Sequence, residues 1–453
     1  MEQTLPVRAH RGDELTLTID TLAHGGAGVA RRDGYVVFVQ GGIPGDTVRA
    51  VVGKAKRAYA EARAVEVITP SSDRIAPLAD HPGAPWQVIP YAKQLEIKQE
   101  QVDDSLKRLG RLDGYTLEPI MPAVQEWRYR NKLEYSFGTD QAGRLICGFH
   151  ASGRWEEIVE VSDCMLASEA GNKAREEVVG WCRAQGLDAY DRRTNQGFLR
   201  NLVVREGRRT GELQVRLVTS PGKLDSDSLI AAARSASGLL WTRLETVGET
   251  TMGGQTALLS GAEQLQEELG GLRIAISAEA FFQTNTEMAE QLYALAIEYA
   301  ELKGYERLYD LYCGIGTIGL LMAPRAAELW GLEIVEDAIA DAIKNARSNE
   351  IDNTHFFAGD ARLVLGELVE KAGKPDVMVI DPPRAGLSQK VVRRVIEAAP
   401  KRIVYVSCNP TTLAPNAAQL VQAGYELTKV RPVDMFPQTP HVECVAQLER
   451  RPG

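Results

Sequence analysis

After residue 300 the chain alternates short apolar, β-type runs with stretches of helical periodicity, and this alternation leaves few folds open. The runs lie at 307–312, 328–333, 355–358, 377–380 and 403–406. Repeated βα units pack as a parallel, doubly wound sheet, because each crossover returns right-handedly to the same sheet. Ligands of such sheets bind in the crevice outside the strand C-termini. Residues 272–453 are therefore expected to form an α/β Rossmann-like domain, and its candidate site residues are those that follow each run.

Three further segments precede it, as a length of 453 residues leads one to expect. In 13–70, short strands are broken by glycine turns at 25–28 and 41–45, the pattern of a small OB-type β-barrel assigned to 1–70. Residues 71–126 read as a proline-rich linker and a helical connection, with Leu95, Val102, Leu106 and Leu109 on one side of a helix over 91–112. Residues 127–271 mix strands and helices as an α+β domain.

The motifs fall at the expected strand ends. Asp310-Leu311-Tyr312-Cys313-Gly314-Ile315-Gly316 closes the first run. Glycine lets a ligand approach the backbone, and the following helix offers free N–H groups. Glu333 ends the second run, where an acid can accept ribose hydroxyls, and Asp360 follows the third. This set fits a nucleoside cofactor; it does not separate a nicotinamide dinucleotide from S-adenosylmethionine. Asp381-Pro382-Pro383-Arg384 follows the fourth run, its prolines stiffening the turn that carries the carboxylate. Cys408, in Ser407-Cys408-Asn409-Pro410, ends the fifth run and precedes a helix, whose N-terminus favours a thiolate. Glu443, in His441-Val442-Glu443, interrupts a late β-type run, where an inward carboxylate is costly unless used. Phe281-Phe282-Gln283-Thr284-Asn285 sets aromatic rings beside amides, a combination able to stack on and hydrogen-bond a base.

Charge gives a mixed signal. The net charge of −9, from 52 basic and 61 acidic residues, argues against a nucleic-acid partner when taken as a whole. Phosphate contact depends on local charge, however. Two windows are basic: 49–63, with Lys54, Lys56 and Arg57, and 191–209, with Arg192, Arg193, Arg200, Arg205, Arg208 and Arg209. No 18-residue apolar run argues for a membrane span, Met1–Asp13 lacks the apolar core of a signal peptide, and the 6 cysteines form no CxxC pair. A reduced, cytoplasmic protein with no membrane partner is expected.

With these motifs in their order, the chain resembles the S-adenosylmethionine-dependent RNA 5-methyluridine methyltransferases. Residues 13–70 resemble the TRAM domain, an RNA-binding β-barrel, which points to the branch acting on 23S ribosomal RNA rather than the tRNA branch. The resemblance implies that Cys408 adds to C6 of a uridine, that C5 then takes the methyl group, and that Glu443 removes the C5 proton. It further implies that Gln283, Tyr312, Gly314, Gly316, Glu333, Asp360 and Asp381 contact the cofactor, with Asp381 also orienting the base. RNA contacts are expected from Arg128, Arg130, Lys132 and Phe282 and from the barrel's Lys54, Lys56 and Arg57. The chain departs from the family in two places. Many members hold an iron–sulfur cluster through four cysteines, whereas His81 and Ala84 stand where two are expected and Cys164 alone matches a ligand, so neither cluster nor metal is expected. Pro415 replaces an arginine in the helix after Cys408. A monomer is expected. The competing readings are a catalytically idle RNA-binding protein, a tRNA-directed enzyme, and an amine methyltransferase, which would need no nucleophilic cysteine.

Overall fold

The computed structural model describes residues 9–151, 153–248 and 250–452. Residues 1–8, part of the expected barrel segment and of the charged N-terminal stretch, lie outside the described residues.

The barrel is built from Glu14–Thr18, Thr21–Leu22, Gly28–Arg32, Tyr35–Gln40, Thr47–Ala55 and Tyr59–Thr69. Side chains alternate across each strand. Leu15 and Leu17, Tyr35, Val37 and Val39, and Val48, Ala50 and Val52 accordingly fill a single interior.

The connection that follows is less of a linker than its prolines suggest. The helix Tyr91–Asp104 runs into a π turn, Ser105–Leu109. Val102 and Leu106 are fully buried, but the wider turn rotates Leu109 out to 56% exposure. Gln94 and Lys98, polar by sequence, face inward and are buried. Thr116–Leu117 pairs in parallel with Tyr425–Val433 and so extends the C-terminal sheet.

The central domain is a seven-stranded mixed sheet with Lys132–Thr139 and Leu199–Glu206 side by side near its middle. The helix Glu169–Ala184 packs on it through Ala174, Val178 and Cys182.

The C-terminal sheet has eight strands in the order Thr354–Ala358, Glu328–Glu333, Arg307–Leu311, Val377–Ile380, Arg402–Ser407, Glu443–Arg450, Tyr425–Val433 and Thr116–Leu117. The order reverses between Arg307–Leu311 and Val377–Ile380, which opens the crevice there. Buried cores cover both faces. Glu443–Arg450 alone runs antiparallel to both of its neighbours, with Ser407 opposite Cys444. That register brings the start of the late strand, Glu443, to the edge where Arg402–Ser407 ends. Residues 35 apart in sequence, Cys408 and Glu443, thus arrive at one crevice.

Candidate active site

The side of the crevice after the first strand is shaped by backbone conformation. Tyr312, Gly314 and Gly316 have φ of +66°, +53° and +87°, so the chain after the first strand folds through left-handed conformations. Gly316 then caps the helix Thr317–Met322. Asp310, wholly buried, accepts from the Gly319 amide at 3.0 Å and ties that helix to the strand. Glu333 is held by three amides: Ile334 at 2.7 Å, Val335 at 3.0 Å and Gly314 at 3.3 Å. Asp360 caps the next helix and pairs with Arg362. Tyr312, Glu333, Asp360 and Ser388 line a cavity of about 230 Å³ between them.

Cys408, Asp381 and Glu443 lie together on the other side of the crevice. Burial, with no opposing cation of its own, pushes the Asp381 carboxyl up to about 7. Burial and the neighbouring Asp381 raise Asp310 to the same value and hold Glu443 well above the usual carboxylate range. The Cys408 thiol is pushed up to about 12 by burial, then by Glu443 and Asp381, against Arg384, which lowers it. This corrects the expectation that the helix N-terminus leaves a ready thiolate: desolvation and two acids outweigh one helix end.

The loop between Tyr425–Val433 and Glu443, here called the roof, leads into the part of the crevice that holds Cys408, Asp381 and Glu443, here called the basin. Over 434–438 it is fastened by groups from three earlier segments. Asn285 donates to Met435 O at 2.9 Å, Tyr129 OH donates to Pro437 O at 3.0 Å, and Gln94 and Gln438 exchange bonds of 2.8 and 2.9 Å. Lys98 reaches Asp434 at 2.6 Å and Phe436 O at 3.1 Å. Gln283, 5% exposed, lies between this loop and the central domain, its carbonyl accepting from Asn131 at 2.9 Å.

The expected RNA contacts divide sharply. Phe282 is 6% exposed and packed among Met288, Leu292 and Ile315, so it is core rather than a stacking platform. Its neighbour Phe281 is 68% exposed and is the ring of the pair that faces solvent. Phe282→Ala should cost about 3–5 kcal/mol of stability. Phe281→Ala should leave the unfolding midpoint unchanged and weaken RNA binding roughly tenfold, as loss of one stacked base does; unfolding and filter-binding titrations on the two variants check this. Lys132 is turned inward and pairs with Glu134 at 2.6 Å, so it is not a phosphate contact. Arg128 pairs with Asp163 at 3.0 Å, and Arg130 lies 5.6 Å from the Phe436 ring, at the roof. Lys54 pairs with Glu61, whereas Lys56 and Arg57 are exposed at a barrel turn. The 191–209 window is not a free basic surface. Arg200 stacks on Tyr190, Arg205 is buried against Ser277 and Ala280 carbonyls, and Arg193, Arg208 and Arg209 pair with Glu156, Glu287 and Glu290.

Cys164 does not stand in a cluster of thiols. Its Sγ lies 3.1 Å from His81 Nε2, beside buried Ala84, and one thiol with one imidazole does not fit a four-thiolate cluster. Among the described residues no group of three or more metal-ligating side chains occurs.

Comparison with known proteins decides the family. The tRNA (uracil-5-)-methyltransferase family matches residues 263–451, and the TRAM domain matches 8–65. An uncharacterized RNA methyltransferase of Halalkalibacterium halodurans is 38% identical over 99% of both chains. One from Porphyromonas gingivalis is 38% identical over 96% of this chain and 99% of its own. The chain belongs to the RNA (uracil-5-)-methyltransferase family. Among solved structures, a Pyrococcus abyssi tRNA (uracil-54, C5)-methyltransferase in complex with S-adenosyl-L-homocysteine superposes with a TM-score of 0.78 and 27% identity, covering 96% of this chain and 99% of that one. The enzyme thus joins a TRAM barrel to a Rossmann-like methyltransferase domain. No helix among its described residues is long and apolar enough to cross a membrane.

Sequence reasoning passed over several residues that the fold brings near this candidate site. Arg384 was legible as part of a turn but had no role. Tyr293 is wholly buried, and Asp381 and Glu443 both raise its phenol. Lys98 and Asp434 form an ion pair with neither side chain exposed. A charged residue on the apolar side of a helix was the one available signal for Lys98.

Proposed function

We propose that this enzyme methylates C5 of a uridine in RNA, with S-adenosylmethionine as donor and Cys408 as covalent nucleophile. The observation that carries the reading is the antiparallel register that sets Glu443 beside the end of the Cys408 strand, with Asp381 on the next strand. C5 of uracil is a poor nucleophile. Addition of Cys408 Sγ to C6 moves the C5–C6 π pair toward O4 and makes C5 enolate-like. After C5 gains a methyl group, Glu443 takes the C5 proton, the double bond re-forms and the thiolate leaves. A positioned base contributes roughly 10²–10⁴-fold. Asp381 orients the base, which must be flipped out of folded RNA to reach this depth.

The donor set fits the cofactor. Glu333 and Asp360 would hold its nucleoside, Tyr312, Gly314 and Gly316 would let it approach the backbone, and Gln283 would face its reacting end. When bound, S-adenosylmethionine supplies an electrophilic methyl group on a sulfonium. Asp310 Oδ1 is buried without a hydrogen-bond partner, which suits a cationic ligand. Such a ligand favours the ionised forms of Asp310 and Asp381, both near 7 in the free site. Affinity for S-adenosylmethionine should therefore rise with pH up to about 7 and level off above it, by up to about tenfold per unit for each group. S-adenosylhomocysteine, without the sulfonium, should show a shallower slope; calorimetric titrations between pH 6 and 8 measure both.

Ribosomal RNA is the first substrate reading, on the strength of the TRAM barrel. Transfer RNA is the second, supported by the likeness to the Pyrococcus abyssi tRNA enzyme over 96% of the chain, barrel included. Incubation with labelled S-adenosylmethionine and 5-fluorouridine-substituted rRNA and tRNA tests both. Fluorine at C5 cannot be removed by Glu443, so an adduct stable to denaturation should accumulate on the true substrate and vanish in Cys408→Ala. An adduct that persists in that variant would overturn the nucleophile.

A further inference from the structure

The TRAM barrel does more than stand beside the catalytic domain; one of its turns reaches the roof of the basin. The turn is closed by Ala23 N to Ala27 O at 2.8 Å and Gly26 N to Ala23 O at 2.9 Å. Gln101, from the connecting helix, fastens it by donating to the Leu22 and Ala23 carbonyls at 3.2 and 3.3 Å. Gly26, at φ +88°, lies against the roof. A Cβ there would sit 2.9 Å from Pro440 and 3.0 Å from the Trp86 ring nitrogen. Pro440 directly precedes His441, two residues before Glu443.

His24 is the side chain that this turn delivers. Both of its ring nitrogens are buried and neither has a hydrogen-bond partner. Leaving such groups unpaired costs free energy, and native structures seldom do so without a ligand, ion or water to complete them. The charge that reaches His24 is that of Arg384, which also acts on His441. His441 in turn feels Arg130, Lys98 and His24. Lys98 is neutralised by Asp434, but Arg384 is exposed and makes no ion pair among the described residues. The turn packed against Pro440 thus presents an unpaired imidazole, within the electrostatic reach of a guanidinium that has no ion pair among the described residues. Both are hydrogen-bond donors suited to an anion. In an RNA whose uridine enters the basin, the anion nearest the base is the backbone phosphodiester.

We infer that His24, supplied by the TRAM barrel, is a substrate-binding residue of the catalytic site and holds, together with Arg384, a phosphodiester flanking the target uridine. This rests on the RNA uridine reading above. The barrel then does more than raise general RNA affinity, because it completes the catalytic pocket and couples docking of the RNA to placement of the base.

The test uses full-length enzyme and an RNA stem–loop that the wild type methylates, made with natural linkages or with a neutral methylphosphonate on either side of the target uridine. His24→Ala should raise the KM for natural RNA about tenfold, the loss of one charge-assisted hydrogen bond. Its kcat should stay within about twofold and its S-adenosylmethionine affinity and melting temperature should be unchanged. On the RNA neutral at the contacted linkage, wild type and His24→Ala should have equal KM. Equal KM on natural RNA, or the same penalty from the variant on every RNA, overturns the phosphodiester contact while leaving the uridine reading intact. If the wild type methylates no RNA, both fall together.

Discussion

Cys408→Ala should lose methyl transfer by a factor on the order of 10⁴ or more while keeping its affinity for RNA and for S-adenosylmethionine, because it removes the nucleophile and nothing that binds. The free site adds a second expectation. With the thiol pushed up to about 12 by burial and by the Glu443 and Asp381 carboxyls, only about 10⁻⁴ of it is thiolate at pH 8. Resting enzyme should therefore react slowly with iodoacetamide for a half-buried cysteine. Arg384 is the group that lowers the thiol, and Arg384→Gln should slow adduct formation further. Glu443→Gln separates the two halves of the reaction. It keeps Cys408 and removes only the base, so labelled methyl should appear on RNA that stays bound to the enzyme through denaturation. Release of free methylated RNA at the wild-type rate would remove Glu443 from the base role. Single-turnover gels with methyl-labelled cofactor read all three variants.

Much of the catalytic domain was legible because its strands are short apolar runs ended by chemistry. Asp310, Glu333, Asp360, Asp381 and Cys408 sit where a doubly wound sheet exposes its strand C-termini, so topology alone aligns them. Glu443 was legible as an anomaly in a late run. Its meeting with Cys408 depends on an antiparallel register that no local pattern encodes. The RNA face was read less well. Composition could not tell that Arg200, Arg205 and Lys132 are turned inward, since an arginine buried on backbone carbonyls and one facing phosphate look alike in sequence. Phe281 and Phe282 are a similar case. Both are phenylalanine, and their opposite fates follow from which side of the chain faces the helix Thr286–Ala300. Gln94 and Lys98 were read past for the converse reason: helical periodicity follows apolar residues, whereas these two are buried because residues more than 330 positions later bring them polar partners.

Those partners make the second large effect. Lys98 and Asp434 are both at 0% side-chain exposure, 2.6 Å apart, and join the connecting helix to the loop that roofs the basin. Burial alone lowers the Lys98 ammonium, and Asp434 offsets this in part. Lys98→Met would leave the Asp434 carboxylate buried and uncompensated, while the Phe436 carbonyl would keep only its bond from the Thr439 hydroxyl at 2.7 Å. Breaking such a pair typically costs about 3–5 kcal/mol, because the surviving charge keeps its desolvation penalty. The unfolding midpoint should fall by roughly 4 °C. Removing both charges, as Lys98→Met with Asp434→Leu, should recover most of that loss, since a packed apolar pair often matches a buried ion pair in stability. Activity should separate from stability. The roof would keep its links to Gln94, Tyr129 and Asn285, but the Asp434 end nearest the sheet would no longer be pinned. The double variant should therefore melt near the wild-type temperature yet methylate with a lower kcat. Had the pair served stability alone, the double variant would regain kcat together with its melting temperature, so thermal unfolding and steady-state methylation on the same three proteins decide between a stabilising pair and a positioning one.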